Sequence, residues 1–374
     1  MGTGHSKNYL DGLMPEIEIT AVADRNPARR EWAKENLPGV KVFEEGVDLI
    51  HSGACEAVLI ATPHYQHPPL AIEAFKNGLH VMVEKPAGVY TLQVREMNAE
   101  ADRHPELTFG MMFNQRTNCT YRKMHELIHS GAIGDLKRVN WIITDWYRTQ
   151  FYYDSGAWRA TWAGEGGGVL LNQCPHQLDL VQWLVGLPCK VQGFCHEGKW
   201  HNIEVEDDVT AYFEYPNGAT GVFITTTGDY PGKNRFEITL DKAKIICEKA
   251  EKITLIELDE GLTHNIQNAK DGFVKIGTHT VDVETDGRNE QHPGVLNAFA
   301  GKILHGTPLV ADGKEGINGL TISNAAHLSS WTNETVSIPF DEDKYYDLLM
   351  EHVKNSKAKT NVVEQVADNM SDTF

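Results

Sequence analysis

EAVLIATPHYQHPPLAIEAFKNGLHVMVEKPAG, residues 56–88, sets out the fold of this chain in its rhythm. A short apolar run (56–62) leads through TPHYQH into a stretch with helical spacing, opened by prolines and closed by Asn77-Gly78. A second apolar run (79–85) then ends on Glu84-Lys85-Pro86. Proline suits the first turn of a helix, where its missing N–H has no partner to lose, and glycine suits the residue just past its end. Strand, helix, strand, with the strands apolar on both faces, is the repeating unit of a parallel sheet covered by helices.

The same rhythm extends outward. EITAVAD (18–24) and LTFGMMF (107–113) are further strands, and NPARREWAKENL and TLQVREMNAEADRH further helices, so residues 1–117 are predicted to form a doubly wound parallel sheet. After Thr117 the pattern changes. The helix CTYRKMHELIHSG leads to the strand LKRVNWIITDWY, an aromatic and glycine-rich loop, and the helix PHQLDLVQWLVG. VTAYFEYPNGATGVFITTT and FEITLDKAKIICEKAEKITLIEL then read as sequential strands joined by short turns, which predicts a mostly antiparallel sheet. Helical patterns return at PGVLNAFAGKILHG and GINGLTISNAAHLSSWTN, and the last ~15 residues are polar and expected to fray. The expected architecture is α/β plus α+β. A doubly wound domain is expected over 1–117, and a second domain over 118–374 with a large, mostly antiparallel sheet flanked by helices.

Composition agrees with two domains and narrows the partners. A chain of 374 residues exceeds one ordinary core, and 41% hydrophobic with 23% charged residues is the balance of a globular protein. The 34 Lys and Arg against 52 Asp and Glu leave a formal charge of -18, which argues against nucleic acid or an anionic membrane as partner. Six scattered cysteines form no CxxC pair, so reduced thiols and a cytoplasmic location are expected, and no apolar run approaches the ~20 residues that span a bilayer. Cys174-Pro175-His176 is too sparse for a zinc site, so no metal is expected.

In an open parallel sheet, ligands bind beyond the carboxyl ends of the strands. Asp24, followed by Arg25, ends the first visible strand. An acid there accepts hydrogen bonds from the adenosine ribose and repels a 2'-phosphate, favouring NAD over NADP; the competing role is a helix cap by Asp24 or Asn26. The fingerprint G-x-G-x-x-G puts its last glycine ~20 positions before that acid. Gly2 fits that place in MGTGHSKNYL, and the first strand and first two glycines are then expected to be missing from the sequence as given. Thr62, Pro63, His64 and His67, with Glu84 and Lys85, follow the next two strands and are expected to line the nicotinamide end. Lys85 is a cation at a strand end, suited to a substrate hydroxyl.

ATPHYQHPPLAIEAFKNGLHVMVEKPAG, with ADRNPAR upstream and GGGVLLNQCPHQLDLVQWLVG and EDDVTAYFEYPNGATG downstream, closely resembles the Gfo/Idh/MocA oxidoreductases, which include glucose–fructose oxidoreductase and inositol dehydrogenases. The resemblance covers nearly the whole chain. It implies that 1–117 are a Rossmann domain and 118–374 a substrate-binding and oligomerisation domain with an open antiparallel sheet, together with a nicotinamide cofactor and a homodimer or homotetramer built through that sheet. In the family pattern Lys85 is a catalytic lysine. The second signature is a glycine run, an Asp, a His four positions later and an Asp three further on. This chain reads Gly166-Gly167-Gly168, Asn172, His176, Asp179, so the first acid has become an amide.

Oxidising a secondary alcohol needs a group to take the hydroxyl proton and one to stabilise the developing alkoxide. His176 is the expected base, since an imidazole titrates near neutral pH. Lys85 is the electrostatic partner and Asn172 positions the hydroxyl or the imidazole, while Asp179 orients His176 or pairs elsewhere. Pro175 leaves Asn172 either on the same helix face as His176 or in the turn before it. The aromatic and polar groups nearby suit a sugar ring, with Asn114, Arg116, Tyr147, Arg148 and Trp158 as substrate candidates besides Asn172 and His176. The expected function is NAD-dependent oxidation of a secondary hydroxyl of a sugar, glycoside or cyclic polyol. The alternatives are a glycosidase that retains NAD and uses transient oxidation, and a non-catalytic sugar or dinucleotide sensor on the same scaffold.

Overall fold

A computed structural model describes residues 1–359 and 362. Met1–Thr117 pack with Glu290–Leu320 as one unit, and Asn118–Asn289 pack with residues 321–359 as a second. The segment 290–320, which the sequence pattern assigns to the C-terminal domain, thus packs with the first unit. The reason is apolar burial: helix Gln291–His305 lays Val295, Leu296 and Phe299 against Met82 and Met112 in one core cluster.

The first unit alternates α1 (Gly2–Leu10), β1 (Ala21–Ala23), α2 (Pro27–Asn36), β2 (Lys41–Phe43), α3 (Gly46–His51), β3 (Ala57–Ile60), α4 (His67–Lys76), β4 (His80–Val83), α5 (Thr91–Asp102) and β5 (Phe109–Met111). Asn26 caps α2 by accepting the Ala28 N–H at 2.9 Å, and Pro27 takes the first helical position, a cap worth ~1 kcal/mol. Every strand pair is parallel, but the strands form two sheets, β1-β2 and β3-β4-β5. In the doubly wound order 3-2-1-4-5-6, β1 and β2 occupy the second and third places and β3 to β5 the fourth to sixth. Among the described residues no further strand joins the two sheets. Val81, Met82 and Val83 of β4 are sealed, whereas Ala21, Val22 and Ala23 of β1 are only half-buried.

The second unit contains α6 (Cys119–His129), β6 (Leu136–Ile143), α7 (Gln150–Asp154), α8 (Pro175–Val185), β7 (Lys190–Glu197), β8 (Glu206–Glu214), β9 (Thr220–Thr226), β10 (Asn234–Leu240), β11 (Ala243–Glu248), β12 (Lys252–Leu258), α9 (Leu262–Asn268) and β13 (Thr278–Val283). Its nine-stranded sheet runs β13-β12-β11-β10-β6-β9-β8-β7 and ends on the short strand Val336–Ser337. Two antiparallel meanders, β7 to β9 and β10 to β13, meet at β6, which pairs antiparallel with β10 and parallel with β9. That single parallel pair makes the sheet mixed. Alternation along each strand buries one face, where Val139, Trp141 and Ile143 meet Phe223 and Phe236, and Trp141 stacks on Phe236 at 4.0 Å between centroids. The other face leaves Ile142, Phe194 and Tyr212 exposed.

Candidate functional site

In the first unit, β4 delivers Glu84 and Lys85 at its carboxyl end, and the Glu84 N–H bonds to the Ile60 carbonyl at 2.9 Å, tying this turn to β3. The Glu84 side chain is buried. Its Oε1 lies 2.7 Å from His5 Nε2, and its Oε2 accepts the Lys85 N–H at 3.2 Å. His5 comes from the first turn of α1, and its ring meets that of His292 edge-on at 5.2 Å. Burial alone would push the Glu84 carboxyl up, but the hydrogen bond to His5 and the charges of His5, His292 and Lys85 hold it at about 2. Burial pulls His292 down to about 4, against the attraction of Glu84.

Both groups sit below their ordinary values, so both stabilise the fold at neutral pH and lose that contribution as the solution is acidified. The His292 window runs from 6.5 down to about 4 and the Glu84 window from 4.5 down to about 2. Glu84→Gln is expected to cost roughly 3 kcal/mol at neutral pH and to flatten the lower window, and His292→Gln to flatten the upper one. Thermal unfolding followed by circular dichroism at several pH values checks this. Acid limbs identical to wild type in both variants would remove the cluster from the stability of the unit.

The other cofactor-side candidates divide by environment. Asp24 is exposed at the end of β1, and its Oδ1 accepts the Asn26 N–H at 2.8 Å; the cap of α2 is Asn26 itself. Arg25 is exposed and its Nε lies 2.9 Å from Glu45 Oε2. A Cβ built on Gly2, the first residue of α1, would meet no protein atom within 4 Å. Thr62 and Pro63 are exposed, whereas His64 and His67 are buried with ring centroids 6.0 Å apart. His67 clasps two loops: Nδ1 lies 2.7 Å from the Pro86 carbonyl and Nε2 2.7 Å from the Thr62 carbonyl. Burial lowers its pKa although both carbonyls favour the imidazolium. Asn114 donates to Gln291 Oε1 at 2.5 Å, and Arg116, buried, lies 2.8 Å from Glu315 Oε2, so the structure ties both of these substrate candidates to side chains of the first unit.

In the second unit the glycine run is held by a carboxylate. Glu206, at the start of β8, accepts the Gly168 N–H at 2.8 Å and the Leu170 N–H at 3.0 Å through its side chain, and the Val169 N–H at 2.9 Å through its carbonyl. A Cβ at Gly168 would lie 1.9 Å from that carbonyl oxygen, so only glycine fits. His327 Nε2 lies 3.1 Å from Glu206, which burial would raise and the charge of His327 lowers; the net shift is downward. From this clamp the chain makes one turn, Asn172 N–H to Gly168 O at 2.9 Å, before α8 starts at Pro175. Asn172 therefore lies in the turn ahead of the helix and His176 in its first turn. His176 and Asp179 are buried, and Asp179 accepts from Gln182 Nε2 at 2.9 Å.

Tyr147 is 47% exposed, with its ring 5.6 Å from that of Tyr230. Arg148 lies 5.2 Å over the Tyr152 ring, and the half-buried Trp158 carries the Arg159 guanidinium at 5.0 Å. Asp207 fixes the loop beneath Arg148: it accepts the N–H groups of Lys199, Trp200 and His201 and lies 2.8 Å from His201 Nδ1, whose Nε2 is 2.9 Å from the Arg148 carbonyl. His5, His292, Glu165, Glu206, Asp207 and His327 are absent from the sequence-derived candidates. An acid inside the glycine run at Glu165 and the paired acids Glu206-Asp207 were the available signals. Among the described residues no group of three His, Cys, Asp or Glu could hold a metal ion, and no helix is long and apolar enough to cross a membrane.

Two family models match the chain. That of the oxidoreductase family with an NAD-binding Rossmann fold covers residues 1–110, and that of the GFO/IDH/MocA C-terminal domain covers residues 121–246. Mouse trans-1,2-dihydrobenzene-1,2-diol dehydrogenase is 30% identical over 56% of this chain and 60% of its own length. The scyllo-inositol 2-dehydrogenase (NAD(+)) of Bacillus subtilis is 27% identical over 64% of this chain and 68% of its own. The chain spans about half to two thirds of the curated relatives it matches. The crystal structure of the WlbA dehydrogenase from Bordetella pertussis, in complex with NADH and UDP-GlcNAcA, superposes with a TM-score of 0.74 at 25% identity, over 90% of this chain and 96% of that one. With both family models matched in order across most of the chain, and with the fold agreeing, this protein belongs to the Gfo/Idh/MocA family of oxidoreductases.

Proposed function

We propose that this protein is an NAD-dependent dehydrogenase that oxidises a secondary hydroxyl of a sugar, glycoside or cyclic polyol. The observation that carries the reading is Lys85, a cation at the carboxyl end of a parallel strand whose own N–H is held by the buried Glu84 carboxylate. The relatives that act on cyclic diols and inositols support the substrate class. The residues fit NAD: open space at Gly2 receives the pyrophosphate at the start of α1, and the exposed Asp24 carboxylate receives the adenosine ribose. NAD, when bound, supplies the hydride acceptor. His176 takes the hydroxyl proton, Lys85 stabilises the negative charge that develops on that oxygen, and Asn172 orients the hydroxyl by hydrogen bonding.

The test is NADH appearance with the purified chain over inositols, aldoses, anhydrosugars and glycosides. Reduction of NAD by none of them would overturn the reading, and release of free sugar from a glycoside without net NADH would replace it with the NAD-retaining glycosidase. Asp24→Ala is expected to lower the preference for NAD over NADP roughly tenfold, by removing the ribose acceptor and the charge that repels a 2'-phosphate. Comparing kcat/KM for the two cofactors checks this, and an unchanged ratio would leave Asp24 as the acceptor of the Asn26 N–H alone.

A further inference from the structure

The family signature places an acid where this chain has Asn172, and the structure brings a different acid onto that amide. Glu165 is 1% exposed, and Asn172 Nδ2 donates to its Oε1. Its Oε2 accepts the Ala160 N–H at 2.5 Å. Both carboxylate oxygens thus receive a donor, and only the NH2 arm of an amide can face a carboxylate; the carbonyl arm of Asn172 is turned the other way. The Tyr152 hydroxyl lies on the same side, 3.5 Å from Asn172 Nδ2, 3.3 Å from Gln173 Nε2 and 2.7 Å from Arg159 Nη1. Arg159 lies 4.5 Å over the Tyr152 ring, bringing a positive charge toward the buried carboxylate.

A second feature marks the same place. Ala160 is fully buried with φ of 53°, a left-handed conformation that L side chains other than Asn and Asp rarely adopt, and its N–H is the one that Glu165 accepts. Strained backbone of this kind persists where the surroundings over-determine it, and it gathers at ligand sites. Desolvation and the nearby Glu206 raise the carboxyl of Glu165 above its ordinary value, against Arg159, the Ala160 N–H and Asn172, which favour its charged form.

We propose that Glu165 is a positioning residue: it locks the Asn172 amide so that position 172 offers an uncharged acceptor oxygen to a substrate hydroxyl, in place of the charged acceptor of the family signature. The inference rests on the reading of Asn172 as a substrate-side residue. Its consequence is specificity, because an acceptor-only group selects a hydroxyl that donates, and an uncharged one adds no repulsion toward an acidic sugar.

The test is a swap in the full chain. In Glu165→Gln the new carbonyl must accept the Ala160 N–H, which leaves its NH2 against that of Asn172. The Asn172 amide then turns and presents a donor. A fall in kcat/KM for the sugar or polyol of ~10- to 100-fold is expected, with KM for NAD unchanged. Asn172→Asp alone sets a second carboxylate against the buried Glu165 and is expected to fall comparably. Glu165→Gln/Asn172→Asp restores one donor facing one acceptor and is expected to recover most of the loss, with thermal unfolding of all four proteins followed alongside.

Wild-type kcat/KM in Glu165→Gln, or a double variant no better than the poorer single one, would overturn the proposal. Recovery of Tm without recovery of kcat/KM would reduce Glu165 to a structural role and overturn it as well. A wild type that reduces no NAD with the alcohol panel defeats the proposed function. The swap is then judged on Tm for the Glu165–Asn172 pair alone: additive changes refute the pair and with it the proposal, and non-additive changes support the pair.

Discussion

Lys85→Ala is expected to lower turnover about a thousandfold while the dissociation constant for NAD changes little. The ammonium is the group proposed to meet the negative charge that develops on the substrate oxygen, and such charge is best stabilised by a cation already fixed in place. The structure holds the backbone from which that side chain extends. The Lys85 N–H is bonded to Glu84, and Glu84 is in turn held by His5 from α1 and by the Ile60 carbonyl of β3. Lys85→Met, which keeps the length of the side chain, is expected to lose as much as alanine, because the charge and not the bulk is at stake. Steady-state turnover with NAD binding followed by fluorescence quenching measures both quantities. Unchanged turnover would take Lys85 out of the chemistry.

His176→Ala is expected to lower kcat by ~10²- to 10⁴-fold and to abolish the limb of the pH–rate profile near neutrality. An imidazole is the side chain that ordinarily changes charge there, and this one is held in the first turn of α8, directly after Pro175. The approach to that turn is rigid. Glu206 clamps Gly168 and Leu170, one turn of chain carries Asn172, and the helix follows. His176→Gln keeps the volume and some hydrogen bonding but cannot take a proton, so it is expected to share the loss of the limb. An intact neutral limb in both variants would assign the base to another residue.

The two losses are distinguishable from damage to the fold. Glu84→Gln is expected to destabilise the first unit at neutral pH, whereas Lys85→Ala leaves the buried carboxylate and His5 in place. Equal Tm values for wild type and Lys85→Ala, beside a large difference in turnover, separate chemistry from stability.

Much of the architecture was legible because it is local. Period-two and period-3.6 apolar patterns, with prolines and glycines at element ends, gave the parallel strands around residues 56–88 and the meanders after residue 200, since each depends on neighbours in sequence. Pro175 correctly left open that Asn172 lies ahead of the helix, because proline favours a first helical position without fixing what precedes it. The one parallel pair in the large sheet was not legible, because β6 and β9 are separated by α7, α8 and two strands and no local pattern encodes which edge β6 joins. Nor was the packing of 290–320 with the first unit, which depends on apolar faces distant in sequence.

For the site, the sequence by itself determined the residue types at the strand and helix ends: Lys85 after its strand, Asn172 and His176 after the glycine run, Asp24 beyond the first visible strand. The family pattern, and not the spacing, gave those positions their roles. Only the tertiary structure decided what stands behind them. His5 and Glu84 are 79 residues apart and Glu206 and Gly168 are 38 apart, yet each pair shares a buried hydrogen bond. Buried charges need partners from wherever the fold brings them, since water is no longer there to solvate them, and no periodicity records that choice. The same reason explains the change at position 172. Read along the chain, an acid is missing there; in space, Glu165 stands against the amide that replaced it.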